Sequence, residues 1–222
     1  MQIELLYKPS QTLGRCLLAP GETLMAESGA MVGFSDGVSM HTHAGGAFGA
    51  LGRIFGGESI FRNDFTAGPL GGEVLVAPSL RGDLQELEVG RIQWFLRHGA
   101  YVASSSGVDV ATQGSLRGMF SGAGLFLLAT RGAGQLLVGS FGALEEVHVD
   151  GEFVVDTGHV VAWESSLEYS IGKAGSGWIA SYFSGEGLVC DFRGRGRVLM
   201  QTRNPEEYGT TVGRLLPSRE DG

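Results

Sequence analysis

The sequence predicts an all-β protein, an antiparallel sandwich or flattened barrel built from internally repeated hairpins, with at most short helices. Three observations predict it. Glycine occupies 38 of 222 positions, more than twice the usual share of about 7 per cent, without the every-third-residue period of a collagen. Apolar residues alternate with polar ones at period two in segment after segment, which sets each apolar set on one side of a sheet. Glycine-bearing turn pairs stand between such segments. With 43% hydrophobic and 18% charged residues, the chain has enough apolar surface to offset its ordering entropy, so disorder is excluded.

From the N-terminus, Met1 to Leu6 carries no basic stretch and no cleavage site, and no apolar run reaches the ~18 residues of a membrane span. A soluble, cytoplasmic protein is expected. Asp36-Gly37, between Met31–Phe34 and Val38–Met40, predicts a hairpin turn. The segment that follows, from His41 to Phe65, departs from the strand pattern. It is apolar and glycine-laden, and Phe48, Leu51, Ile54 and Phe55 would share one face of a short helix. Such a face suits a subunit interface or an apolar ligand, and equally a plain core contact under a sheet. It matches neither a phosphate loop nor a dinucleotide fingerprint.

Leu84 to His98 offers a weak helical turn. Asp150-Gly151, between Val147-His148-Val149 and Glu152-Phe153-Val154-Val155, is the strongest hairpin signal in the chain, because both central residues of a type I′ turn need positive φ. Leu167, Tyr169 and Ile171 form another alternating strand. At the C-terminal end, Asn204-Pro205-Glu206-Glu207 supplies an N-cap, a proline at N1 and a first-turn carboxylate, which predicts a short helix.

An internal repeat organises these elements. Gly122-Ala123-Gly124-Leu125 with Arg131-Gly132-Ala133-Gly134 reappears as Gly185-Glu186-Gly187-Leu188 with Arg193-Gly194-Arg195-Gly196. A fainter copy is Gly72-Glu73-Val74-Leu75 with Arg81-Gly82-Asp83-Leu84. A hairpin alone cannot bury its apolar face, so the copies must pack on one another. The expected layout is one all-β unit, residues 1–216, with two pseudo-equivalent halves at roughly 1–110 and 111–203. Residues 204–222 hold the helix and a tail.

Chemistry is less legible. A net charge of −8 and an acidic balance of 24 Asp and Glu against 16 Lys and Arg disfavour broad binding to nucleic acid or anionic membrane. Arg193, Arg195 and Arg197 nevertheless alternate with Gly194 and Gly196, so a strand would align three guanidinium groups that could grip an anion or RNA. The alternative is that they pair with the chain's own carboxylates. His41 and His43 are the weak metal candidates, two apart as a β-barrel metal site requires, but the next acidic residue is Glu58, too far for a cupin-like ligand set. Cys16 and Cys190 are in no metal or disulfide spacing and read as small core residues. The tryptophans read as core. Ser104-Ser105-Ser106 reads as a turn cluster, and no catalytic residue or cofactor is indicated.

Several runs resemble the altered-inheritance-of-mitochondria family. They include Glu27-Ser28-Gly29-Ala30-Met31-Val32, Gly56 to Phe61 with Phe65-Thr66-Ala67, Gly71 to Pro78, Asp150-Gly151-Glu152, His159 to Trp163, and Gly194 to Arg203. The resemblance runs from about residue 4 to 216. It implies a fold like that of the tryptophan RNA-binding attenuator protein (TRAP-like), duplicated in the chain and commonly assembled as a trimer, with no established catalytic residues. Mitochondrial members are associated with inner-membrane organisation, a role this chain is not expected to share because it lacks a presequence. The functional expectation is therefore a homo-oligomeric binding or scaffolding protein without catalytic activity. An anion or nucleic-acid binder and a metal-dependent enzyme are the alternatives.

Overall fold

A computed structural model describes residues 1–42, 62–117, 124–173 and 188–216. The chain is all-β, with seventeen strands in three antiparallel sheets and one α-helix among the described residues. The strands are β1 (Gln2–Leu6), β2 (Leu13–Leu18), β3 (Thr23–Glu27), β4 (Met31–Phe34), β5 (Val38–Thr42), β6 (Arg62–Ala67), β7 (Gly72–Val76), β8 (Leu84–Val89) and β9 (Trp94–Arg97). They continue with β10 (Tyr101–Ser105), β11 (Val108–Arg117), β12 (Gly124–Gly132), β13 (Gly134–Gly139), β14 (Leu144–Asp156), β15 (Val160–Glu164), β16 (Glu168–Lys173) and β17 (Leu188–Gln201). Helix α1 (Pro205–Leu215) follows.

The sheets run β1-β2-β7-β4, then β5-β6-β3-β10-β13-β8, then β11-β12-β9-β15-β17-β14 with β16 also on β17. One arrangement of ladders recurs along the chain. First β2 pairs β7 and β7 pairs β4, while β5 pairs β6 and β6 pairs β3. Next β8 pairs β13 and β13 pairs β10, while β11 pairs β12 and β12 pairs β9. In the last stretch two long strands take the place of four: β14 and β17 pair over their whole length, with β15 on one end of β17 and β16 on the other. Each time, the register slips at the same point, between Met31 and Gly33, between Tyr101 and Ala103, and between Val160 and Ala162. Stretches are joined where β3 pairs β10 and where β9 pairs β15.

Three apolar clusters lie between the layers. Cys16, Leu24, Phe65 and Val74 centre the first, Trp94, Tyr101 and Leu128 the second, and Trp163, Cys190 and Phe192 the third. Each of the first two also takes in residues of the following stretch: Leu84, Val102, Ala103 and Leu137 in the first, Val161, Ala162 and Leu199 in the second. In the third, Trp163 meets Tyr169 at 4.9 Å and Phe192 at 5.3 Å between ring centroids, edge contacts that fix the packing beyond area burial alone.

Three expectations are corrected. Asp36-Gly37 does form a turn, with Gly37 at φ 81 and Val38 N–H donating to the Ser35 carbonyl at 3.3 Å. It is no hairpin, because β4 belongs to the first sheet and β5 to the second. Asp150-Gly151 is no turn at all. It lies inside β14, with Gly151 opposite Gly194 of β17. The two facing glycines have φ 120 and 114, a region open to residues without a Cβ, so both strands deform together without breaking the ladder. Leu84 to His98, read as a helical turn, holds strands β8 and β9; β9 alternates buried and less buried positions throughout, and β8 does so from Glu86 onwards. The predicted cap is present: the Asn204 side chain accepts from the Glu206 and Glu207 amides at the start of α1.

Candidate functional site

The arginine stripe lies on β17, as its alternation requires, but the guanidinium groups are already engaged. Arg193 donates to Asp191 at 2.8 Å and to Glu152 at 3.3 Å. The Asp191 hydrogen bond, with the charge of both carboxylates, holds its pKa above the ordinary value. Arg195 makes a two-nitrogen contact with Asp150, its Nη2 standing 2.9 Å from Oδ2. Arg197 is the least exposed of the three. It donates to Glu164, lies 3.5 Å from Glu146, and stacks its guanidinium 4.9 Å from the centroid of the Trp94 ring. Cross-strand pairing explains these partners, since Asp150 faces Arg195 and Glu152 faces Arg193 in the β14–β17 register. The glycines do not leave the far side open throughout: a Cβ at Gly196 would stand 2.9 Å from Leu167, because the turn between β15 and β16 packs there.

An open concavity of about 530 Å³ adjoins Arg197 and is lined by Glu88, Gly90, Arg91 and Ile92. A smaller one of about 170 Å³ lies between His98, Gly139, Val161, Gln201 and Pro205. Gln201 is satisfied there, donating to the Gly158 carbonyl and accepting from Phe141 N–H. His41 stands on β5, exposed, opposite Asp64 of β6. His43 lies outside the described residues, as do Phe48, Leu51, Ile54, Phe55 and Trp178. Among the described residues no three His, Cys, Asp or Glu side chains come together as a metal site. His159 contacts the Gln201 carbonyl at 2.8 Å, and His148 is 3.4 Å from Glu146. Cys16 and Cys190 are free and buried, and burial pushes each thiol up to about 12. Trp94 and Trp163 are core.

The surface feature that sequence reasoning missed is β4. It is one edge of the first sheet, β1 being the other, and among the described residues it pairs with β7 alone. Val32 is 57% exposed and Phe34 43% exposed on it, with the exposed Met40 following on β5. Among the described residues, 152–156 of β14 pair with β17 alone. The signal in the sequence was the short run Glu27-Ser28-Gly29-Ala30-Met31. It has a counterpart in Arg97-His98-Gly99-Ala100-Tyr101, a spacing that marks equivalent strands. Among the described residues no helix is long and apolar enough to cross a membrane.

Comparison with known proteins places this architecture. A crystal structure of a Streptococcus pyogenes protein, determined as a structural genomics target, superposes with a TM-score of 0.79 at 31% identity, covering 97% of this chain and 99% of that one. An uncharacterised protein of Streptococcus pyogenes serotype M6 is 32% identical over 213 residues, covering 90% of this chain and 85% of that one. The family model described as mitochondrial biogenesis AIM24 matches residues 3–203. On that span and those identities, the chain belongs to the mitochondrial biogenesis AIM24 family.

Proposed function

We propose that this protein is a cytoplasmic, self-assembling binding or scaffolding module, a homotrimer without catalytic chemistry. On this reading its recurring ladder units are copies of one TRAP-like module. The observation that carries the proposal is the outer edge of β4, which no described strand pairs and along which Val32 and Phe34 are exposed. An open apolar strand edge is a template for pairing with another chain, and stable proteins cover it. Several described surface charges pair with one another, as in Arg15 with Glu4 and Glu73, and Arg195 with Asp150, so charge does not single out a ligand.

The anion-binding alternative gains nothing from the geometry of Arg193, Arg195 and Arg197, because a ligand would have to displace a carboxylate from each. Light scattering at several concentrations tests the main reading. One closed species of three 23.4 kDa chains is expected, and a single-chain mass at every concentration overturns it. Mass spectrometry of what co-purifies with the native assembly identifies the ligand class.

A further inference from the structure

Two of the sheet edges left unpaired among the described residues, the outer edge of β4 and residues 152–156 of β14, are complementary, and the chain itself shows how they fit. The strand that carries the register slip is β4, β10 and β15 in turn. In the two later cases its outer edge is covered by a strand from the preceding stretch: β3 covers β10, and β9 covers β15. Among the described residues no strand covers the outer edge of β4. The covering strand is β3, then β9, and at the corresponding place residues 152–156 of β14, which among the described residues pair with β17 alone. Among the described residues the chain therefore carries one unpaired edge of each of these two kinds.

Burial supports the correspondence. The residue inside the slip is Val32, Val102 and Val161 in the three strands. Val102 is 2% exposed and Val161 is 1% exposed, each packed into the core of the stretch before it, whereas Val32 is 57% exposed. An apolar side chain that is covered at two equivalent positions is left bare at the third. The third core, around Trp163 and Phe192, has partly buried Phe153, Tyr169 and Ile171 at its margin, which is apolar surface for Val32 to cover.

We propose that β4 of one copy adds, antiparallel, to residues 152–156 of β14 of a second copy, joining chains head to tail. This rests on the self-assembling reading above and specifies its interface. The register follows from the internal junctions. Ala103 pairs Ala26, Ser104 pairs Met25 and Ser105 pairs Leu24, and likewise Ala162 pairs Leu96, Trp163 pairs Phe95 and Glu164 pairs Trp94. Ala26 precedes Met31 by the same five residues as Leu96 precedes Tyr101, and the residue so placed before Val160 is Val155. Gly33 therefore meets Val155, Phe34 meets Val154, and Ser35 meets Phe153 of the second copy. The Ser35 N–H already points to the Glu73 carbonyl of β7, so strand alternation turns the N–H and C=O of Phe34 to the vacant side. Phe34 opposite Val154 occupies the position of Trp163 opposite Phe95, whose rings stand 5.6 Å apart. Such a contact is heterologous: it uses two different surfaces, and it closes into a ring when the rotation per chain allows.

Cysteine cross-linking tests the register. Chains carrying Phe34→Cys and chains carrying Val154→Cys are co-expressed and oxidised. Directly opposed residues lie about 4.5–5.5 Å apart at Cα, within disulfide reach, whereas diagonal ones at about 7–8 Å are beyond it. A reducible band at twice the chain mass is expected from the mixture. It should be absent from either variant alone and strongly reduced when Glu152→Cys replaces Val154→Cys. A band from Phe34→Cys alone means that β4 meets β4, and an equal yield with Glu152→Cys means a different register; either overturns the proposal.

Val32→Lys provides an independent test, since Val32 is bare in the single chain and its replacement leaves the fold intact. Unchanged circular dichroism with a fall to single-chain mass is expected, and an assembly that persists overturns the junction. If the parent protein assembles but neither experiment responds, this junction fails and the self-assembling reading stands. If the parent is a monomer throughout, both fail.

Discussion

Arg197 and Arg195 stand two residues apart on one strand yet differ in what they hold. The Glu164 side chain beside Arg197 is 8% exposed, while Arg195 and Asp150 are 82% and 74% exposed. Removing Arg197 leaves a buried carboxylate unpaired, so Arg197→Ala is expected to lower stability in urea unfolding by about 3 kcal/mol. Arg195→Ala should change it by less than about 1 kcal/mol. Glu27 shows the opposite balance: burial holds its carboxyl above the usual range, so the folded state binds the proton more tightly and stability falls as pH rises through the ordinary carboxylate value towards the folded one. Glu27→Gln should therefore raise Tm by a few degrees at pH 7 and lose that advantage at pH 4. The thiols of Cys16 and Cys190, pushed up to about 12 from 9.0, carry about a thousandfold less thiolate at pH 8 than a free thiol. Alkylation followed by mass spectrometry should find both unmodified in native protein and both modified after denaturation.

At the scale of elements, the facing glycines decide whether β14 and β17 stay continuous. A side chain at Gly151, with φ 120 and no neighbour within reach of a Cβ, would be strained by backbone conformation alone. Gly151→Val is expected to cost about 1–3 kcal/mol in the same unfolding measurement. The sequence made Asp150-Gly151 look like a hairpin because the dipeptide favours positive φ, and the φ is indeed positive. What the local pattern could not reveal is that β17, some forty residues away, carries a matching glycine at the facing position, which turns a reversal into a shared deformation. Asp36-Gly37 was legible as a turn for the same reason, but the sheet that each flanking strand joins depends on β6 and β7. Helix α1 was legible outright, since capping by Asn204 involves residues within one turn. The weak helical reading of Leu84 to His98 failed because pairing with β13, β12 and β15 overrides local propensity.

At the scale of the whole molecule, the described ladders leave the outer edge of β4 and residues 152–156 of β14 without a second partner, and the proposed assembly satisfies both with a single kind of contact. Because that contact is apolar at Val32 and Phe34, it should survive salt that would weaken an ion-paired interface. Light scattering at low and high ionic strength is expected to return the same mass, and dissociation in salt would count against it. The histidine pair, the arginine stripe and the glycine-laden segment were the chemical candidates in the sequence. The described structure leaves His41 exposed and surrounds the arginines with carboxylates, while the vacant edges emerged from topology.

The sequence by itself determined the all-β class, the family, the C-terminal helix and the places where the backbone needs glycine. These depend on alternation, capping and φ, which act over a few residues. Tertiary structure alone decided which strands are neighbours, which carboxylate each arginine meets and which of three equivalent valines stays bare. Those outcomes depend on pairings between residues far apart in the chain, and residues such as Val32 and Val102 carry no local mark to tell them apart. The difference between them is what lies alongside among the described residues: a strand of the same chain for Val102, and no second strand for Val32.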